Sequence, residues 1–169
     1  MEVDVFTGKF FRVTTERLAP DLLYERVYQR PGVTVWPITD DGCMGLIRLS
    51  TTENPMPRIT LVRGYVEDGE TPLACAQREL AEETGLCAQS WTFYMEAAGT
   101  EGSLYKTQHI FIARGLRPVD GVVNQDPHEH TSLVNFTFAE VRRMVLAEEL
   151  GRREDAFALL KFFVEMATN

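Results

Sequence analysis

The sequence predicts an α+β fold, with a sheet sandwiched between helices. Two observations predict it. Apolar runs with strand character lie on both sides of one capped helix in the middle of the chain. Two amphipathic helix patterns then close the chain. At 169 residues the chain is expected to form one domain over 1–169, long enough for a real core. Hydrophobic residues at 44% and charged residues at 25% give the balance of a globular protein.

Residues 1–14 are rich in β-formers and broken by Thr7-Gly8, which reads as a short hairpin. Residues 15–23 are polar and contain Pro20, which reads as a connection. Val27, Val33, Val35 and Ile38 mark strands around a break at Pro31-Gly32. Asp40-Asp41-Gly42 turns the chain into a strand over Met44–Leu49, so 24–50 reads as a long hairpin. Pro55 and Pro57 keep 50–57 irregular. Residues 58–63 (RITLVR) form a strand that ends at Gly64. Beyond the central helix, 90–97 and 105–113 read as strands around a Gly99–Ser103 loop. Residues 114–130 read as a long loop of the kind that lines sites. A last strand over 133–138 precedes helices over 139–150 and 154–166. Gly151 stops the first of these helices. Ala156, Leu159, Leu160 and Phe163 face inward on the second.

The stretch from Gly64 to Leu86, GYVEDGETPLACAQRELAEETGL, carries the chemistry. Thr71 is placed to cap a helix, Pro72 to begin it and Gly85 to end it. Glu79, Glu82 and Glu83 stand at i, i+3 and i+4, on one helical face. Like charges at that spacing repel, and a hard divalent cation turns repulsion into ligation. Arg78 is spaced to pair with Glu82 or, across the loop, with Glu70. Leu73, Ala76 and Leu80 form an apolar strip for docking on a sheet.

Acidic helix faces are commonly just solvated, but here the whole pattern is fixed. It reads Gly, five residues, Glu, seven residues, then Arg-Glu-aliphatic-x-Glu-Glu-x-Gly-aliphatic. It resembles the Nudix box at every defined position. Seven fixed identities at ~7% each make a chance match rarer than about one in a hundred thousand. The chain is therefore similar to the Nudix hydrolases. That resemblance implies an α/β/α sandwich with a central mixed sheet. It also implies Mg²⁺-dependent attack of water on the pyrophosphate bond of a nucleoside diphosphate linked to another moiety, with Mn²⁺ as a possible substitute. The implied metal ligands are Glu79, Glu82, Glu83 and the backbone carbonyl of Arg63. Glu83 is the most consequential of them, while Glu70 and Arg78 orient the set.

Outside the box, the order of features resembles the ADP-ribose and nucleotide-sugar pyrophosphatase branch. It includes residues 25–42, Leu46–Ser50, Ile112–Leu116, an acidic loop and Asp155–Phe162. The resemblance assigns Glu129, in DPHEH, to act on the attacking water. It also implies a homodimer whose partner packs on the strand region 1–23. Three departures stand out. Thr60-Leu61-Val62-Arg63-Gly64 replaces the branch's Glu-x-Pro-Ala-Gly, Arg48 alone remains of an Arg-Gln-Tyr-Arg run, and Glu101-Gly102 stands where a proline is usual. Nucleoside triphosphates, dinucleoside polyphosphates and a nucleotide-sensing role stay open as alternatives. Arg48, Arg26 and Arg58 are candidates to meet phosphate or ribose, with surface charge as the equal alternative. His128, His130 and His109 read as loop and strand residues, and Trp36 and Trp91 as core or interface.

The net charge of −8 and the pI near 4.9 argue against a nucleic-acid partner and leave a small phosphorylated substrate open. Three cysteines without a paired framework read as reduced thiols. With no long apolar run and no signal-peptide pattern at the start, no membrane partner and a cytoplasmic location are expected.

Overall fold

The computed structural model describes residues 1–120, 129–150 and 153–168. β1 (Glu2–Thr7) and β2 (Phe11–Ala19) form the expected N-terminal hairpin. Residues 15–23 are not a connection. β2 continues to Ala19, turns at Pro20-Asp21 and pairs antiparallel with β3 (Leu22–Gln29). The polar residues that suggested a loop sit on a largely exposed sheet, where alternation with solvent tolerates them.

β4 (Gly32–Ile38) is buried throughout. The expected hairpin with β5 (Met44–Thr51) is a minor contact, limited to Ile38 opposite Met44. β4 instead runs parallel to β9 (Leu104–Pro118) over its whole length, which explains its near-continuous apolar run. The strand expected over 58–63 is two strands. β6 (Arg58–Thr60) joins β5, and β7 (Val62–Tyr65) joins β4, with Leu61 between them in the core. β8 (Leu86–Glu101) and β9 are one long hairpin closing near Gly102, so the expected 99–103 loop is mostly strand. β9 also runs on to Pro118, well into the loop expected from 114. β10 (Glu129–Phe136) pairs with β5. Residues 121–128 of the expected acidic loop, His128 among them, lie outside the described residues.

The sheet order is β1-β2-β3-β9-β4-β5-β10, with β6 on β5, β7 on β4 and β8 on β9. Helices cover both faces, as the α+β sandwich requires. α1 (Pro72–Thr84) packs through Cys75, Ala76 and Leu80 on Val33, Val35, Ile47 and Val62. Leu73 is exposed, and Cys75 takes the place expected for it. On the other face, α2 (Phe138–Leu146) and α3 (Arg153–Thr168) close over Trp36, Ile38, Leu46 and Leu61. α2 ends at Ala147, before Gly151, which lies outside the described residues. The inward stripe of α3 is Asp155, Ala158, Leu159 and Phe162, and Leu160 stays exposed.

Candidate active site

α1 forms as its sequence dictates. Thr71 Oγ1 accepts the Ala74 N–H at 3.2 Å, and Pro72 starts the helix. Gly85 is left-handed at φ 69°, and its N–H bonds Ala81 O at 2.8 Å. The helix lies across β7 with its carboxylates at the edge of a cleft of about 1110 Å³. Gly64, Arg78, Glu79, Glu82 and Glu83 all line that cleft.

Gly64 is required by contact. A Cβ there would stand 1.8 Å from Glu79 Oε1, so the carboxylate lies directly over the glycine backbone. That seat leaves the Glu79 side chain 13% exposed. Burial pushes its pKa up to about 7, against the pull of Arg78 and with repulsion from Glu82 and Glu70.

Arg78 holds the cluster together. Its Nε donates to Glu70 Oε1 at 3.0 Å and its Nη2 to Glu70 Oε2 at 3.1 Å, a bidentate pair. Nη1 donates to Glu79 Oε1 at 2.6 Å and to Glu82 Oε2 at 3.0 Å. Nη2 also reaches Tyr65 O at 3.2 Å and Cys75 Sγ at 3.4 Å. The two partners expected as alternatives, Glu82 and Glu70, are therefore both bound. The Arg78 bond holds Glu70 below the usual carboxylate range. Glu70 also accepts the Glu67 N–H at 3.0 Å, which closes the loop into the helix. Cys75 is buried beside these carboxylates, and its thiol is pushed up to about 12, which keeps it protonated.

Among the described residues no three acidic, histidine or cysteine side chains converge on one point. Glu79 and Glu82 share the Arg78 guanidinium instead. The donor set still suits a hard cation, because three carboxylates on one helix face border one cleft and one guanidinium serves two of them and Glu70.

The other expected residues are scattered. Arg63 sits on β7 next to Gly64 and borders the cleft. Arg58 lines the cleft from β6. Arg48 is exposed on β5, outside the lining. Arg26 lies on β3, 3.1 Å from Glu16 and over the Tyr24 ring, also outside the lining. Glu129 opens β10, its backbone opposite Thr51, and Thr131 two residues on borders the cleft. His109 lies 3.4 Å from Glu96, His130 is exposed, and Trp36 is core.

Sequence reasoning missed several lining residues: Lys9, Arg30, Tyr65, Gln108, Glu148 and Glu149. Arg30 is tied to Asp68 Oδ1 at 2.9 Å and Val66 O at 3.3 Å. Glu148 has φ 56° at the end of α2. Tyr65 follows Gly64 inside the patterned stretch, whereas the others belong to no local pattern and reach the cleft through the sheet order or the end of α2.

The NUDIX domain pattern matches residues 28–161. The chain belongs to the NUDIX family. It is a Nudix pyrophosphohydrolase. Over 136 residues it is 27% identical to an ADP-ribose pyrophosphatase of Bacillus subtilis (strain 168), covering 79% of this chain and 72% of that protein. Over 122 residues it is 25% identical to a methanol dehydrogenase activator of Bacillus methanolicus, covering 70% of this chain and 65% of that one. A solved structure described as an ADP compounds hydrolase superposes with a TM-score of 0.73 at 22% identity, over 99% of this chain and 93% of that chain, a likeness in fold. Among the described residues of this Nudix chain, no helix is long and apolar enough to cross a membrane.

Proposed function

We propose that the chain hydrolyses the pyrophosphate bond of ADP-ribose or a nucleotide sugar, with Mg²⁺ as the cation and Mn²⁺ able to replace it. The observation that carries this is the Glu79 carboxylate seated on Gly64 beside Glu82 and Glu83, in a cleft that also holds Lys9, Arg30, Arg58 and Arg63. Such a cleft offers oxygen donors to a cation and cationic donors to phosphates. The 27% identity to an ADP-ribose pyrophosphatase supports the substrate class.

Glu79, Glu82, Glu83 and the Arg63 carbonyl would hold the cation. When bound, it neutralises phosphate charge and lowers the pKa of water. Arg78 fixes the directions of Glu70, Glu79 and Glu82. Glu129 is assigned the water's proton. As the water oxygen bonds to phosphorus, the bridging P–O bond breaks and two phosphate monoesters leave.

A homodimer through β1–β3 fits the apolar side chains exposed there, among them Val3, Val5, Phe6, Leu22 and Leu23. The three free cysteines suit a cytoplasmic location.

The test is product identification by chromatography after incubation with ADP-ribose, nucleotide sugars, dinucleoside polyphosphates and nucleoside triphosphates, each with Mg²⁺ and with Mn²⁺. AMP and ribose 5-phosphate from ADP-ribose, or the matching monoesters from a nucleotide sugar, are expected. Turnover confined to triphosphates or polyphosphates would overturn the substrate class.

A further inference from the structure

On the α3 side of β7, a line of polar side chains crosses an otherwise apolar core. Gln108 Nε2 on β9 donates to Thr34 Oγ1 on β4 at 2.9 Å. Thr34 Oγ1 donates to Asp155 Oδ1 on α3 at 3.2 Å. Arg63 Nη2 on β7 donates to Asp155 Oδ2 at 2.8 Å. Thr34 is buried and Asp155 is 2% exposed. Both ends of the line, Arg63 and Gln108, border the cleft. Gly32 makes room for one end, since a Cβ there would stand 2.6 Å from Gln108 Oε1.

Strand alternation sets the direction of Arg63. Val62 packs against Cys75, Ala76 and Leu80 of α1, and Gly64 faces Glu79. Arg63 therefore points away from the carboxylates, toward α3. A buried ion pair is a poor way to gain stability alone, since apolar residues of the same volume usually do as well. Its benefit here is placement.

The cations of the cleft differ in how committed they are. Arg78 is engaged by Glu70, Glu79 and Glu82. Arg30 is engaged by Asp68 and Val66 O. Lys9 lies over the Phe10 ring, and Arg58 is exposed. Among the described residues Arg63 is fixed through one nitrogen, Nη2. Among the described residues its Nε is buried without a hydrogen-bond partner, 18% of the side chain stays exposed, and the residue borders the cleft. It thus combines a fixed position with donors to spare, which suits an anionic oxygen.

We propose that Arg63 binds a phosphoryl oxygen of the substrate's diphosphate on the face of β7 opposite Glu79, and that Asp155 is the positioning residue that holds it there. This deepens the assignment of a nucleoside diphosphate compound as substrate and rests on it. It adds a side-chain role to the backbone carbonyl already assigned to Arg63, and substitution leaves that carbonyl in place.

The test combines Arg63→Gln, Arg63→Lys, Asp155→Asn and the Arg63→Gln/Asp155→Asn pair. Three readouts are used: kcat and KM on the preferred substrate, binding of inorganic pyrophosphate with Mg²⁺, and Tm. Arg63→Gln is expected to raise KM and weaken pyrophosphate binding by roughly 10–100-fold, the range of one charge-assisted hydrogen bond, with a smaller change in kcat. Arg63→Lys keeps a positive charge beside Asp155 but gathers its donors on one nitrogen instead of a fork, so it should keep Tm near wild type while KM still rises. It carries the test if Arg63→Gln fails to fold. Asp155→Asn should raise KM by less, and adding it to Arg63→Gln should raise KM no further. Wild-type KM and pyrophosphate affinity in the folded Arg63 variants would leave a purely structural ion pair and overturn the proposal. A wild type that hydrolyses no diphosphate compound sinks the assigned substrate, and pyrophosphate binding then decides alone. Tighter binding by wild type than by the Arg63 variants keeps Arg63 as a phosphate donor, whereas equal or absent binding removes it.

Discussion

The two faces of β7 each carry an arginine, in contrasting company. On the α1 face, Arg78 is shared among Glu70, Glu79 and Glu82, with Glu83 on the same cleft. On the α3 face, among the described residues, Arg63 meets one carboxylate, Asp155, and its Nε has no partner. The first face has a surplus of acceptors and calls for a cation. The second has a surplus of donors and calls for an anion. A single strand one residue thick, from Arg63 to Gly64, separates them. On the proposed reading, the two faces divide the labour of holding a cation and a diphosphate.

The largest expected effect breaks the α1 face. Glu83→Gln should lower kcat by roughly 10²–10⁴-fold, the scale on which charged catalytic groups act. Circular dichroism should show an unchanged fold. Normal turnover in that variant would take the chemistry away from this face.

Next is Gly64→Ala. Its methyl group would occupy the place of the Glu79 carboxylate, 1.8 Å from Oε1. Displacing that group by about 1 Å should lower kcat by roughly 10²-fold, with KM less affected. If kcat is untouched, the seat of Glu79 on the glycine has no bearing on activity.

Arg78→Ala tests the balance itself. It leaves Glu70, Glu79 and Glu82 without their shared cation. Without added metal the variant should lose roughly 2–3 kcal/mol in urea denaturation, somewhat under the loss for a fully buried pair because Arg78 is partly exposed. Divalent cations should return part of that stability. No gain on adding Mg²⁺ would count against the carboxylates as its ligands.

The smallest effect is in the pH dependence. Glu79 holds its proton to about pH 7 in the folded chain, above its ordinary 4.5. Between those values the folded state binds more protons than the unfolded chain. Its stabilising contribution is therefore complete below pH 4.5 and lost as pH rises through 7. Metal-free protein should lose stability between pH 5 and 8 by at most about 1.4 kcal/mol per pH unit from this group. Glu70, held low by Arg78, acts in the other direction at more acid pH. A flat Tm over this range, or an equal slope in Glu79→Gln, would show that Glu79 is not buried as described.

Legibility followed sequence distance. The caps of α1, the shared face of its carboxylates and the pairing of Arg78 all lie within Gly64–Leu86, so local geometry fixes them. Residues 15–23 misled because polar strand residues on an exposed sheet look like loop residues. The RITLVR run misled because its two halves belong to different neighbours, β5 and β4. Arg48, Arg26 and Arg58 could not be ranked by type, and only Arg58 of the three lines the cleft.

By itself, the sequence determined the family, the α+β class, the central helix and the carboxylates it presents. Helical periodicity and capping act within a few residues, and a fixed spacing puts them in reach of one another. The tertiary structure alone decided that β4 runs beside β9, that Glu79 sits on Gly64, and that Arg63 meets Asp155 92 positions along the chain. Those contacts depend on how the strands are ordered in the sheet and how α3 packs on it. Burial of the whole core sets that order, and no local pattern encodes it.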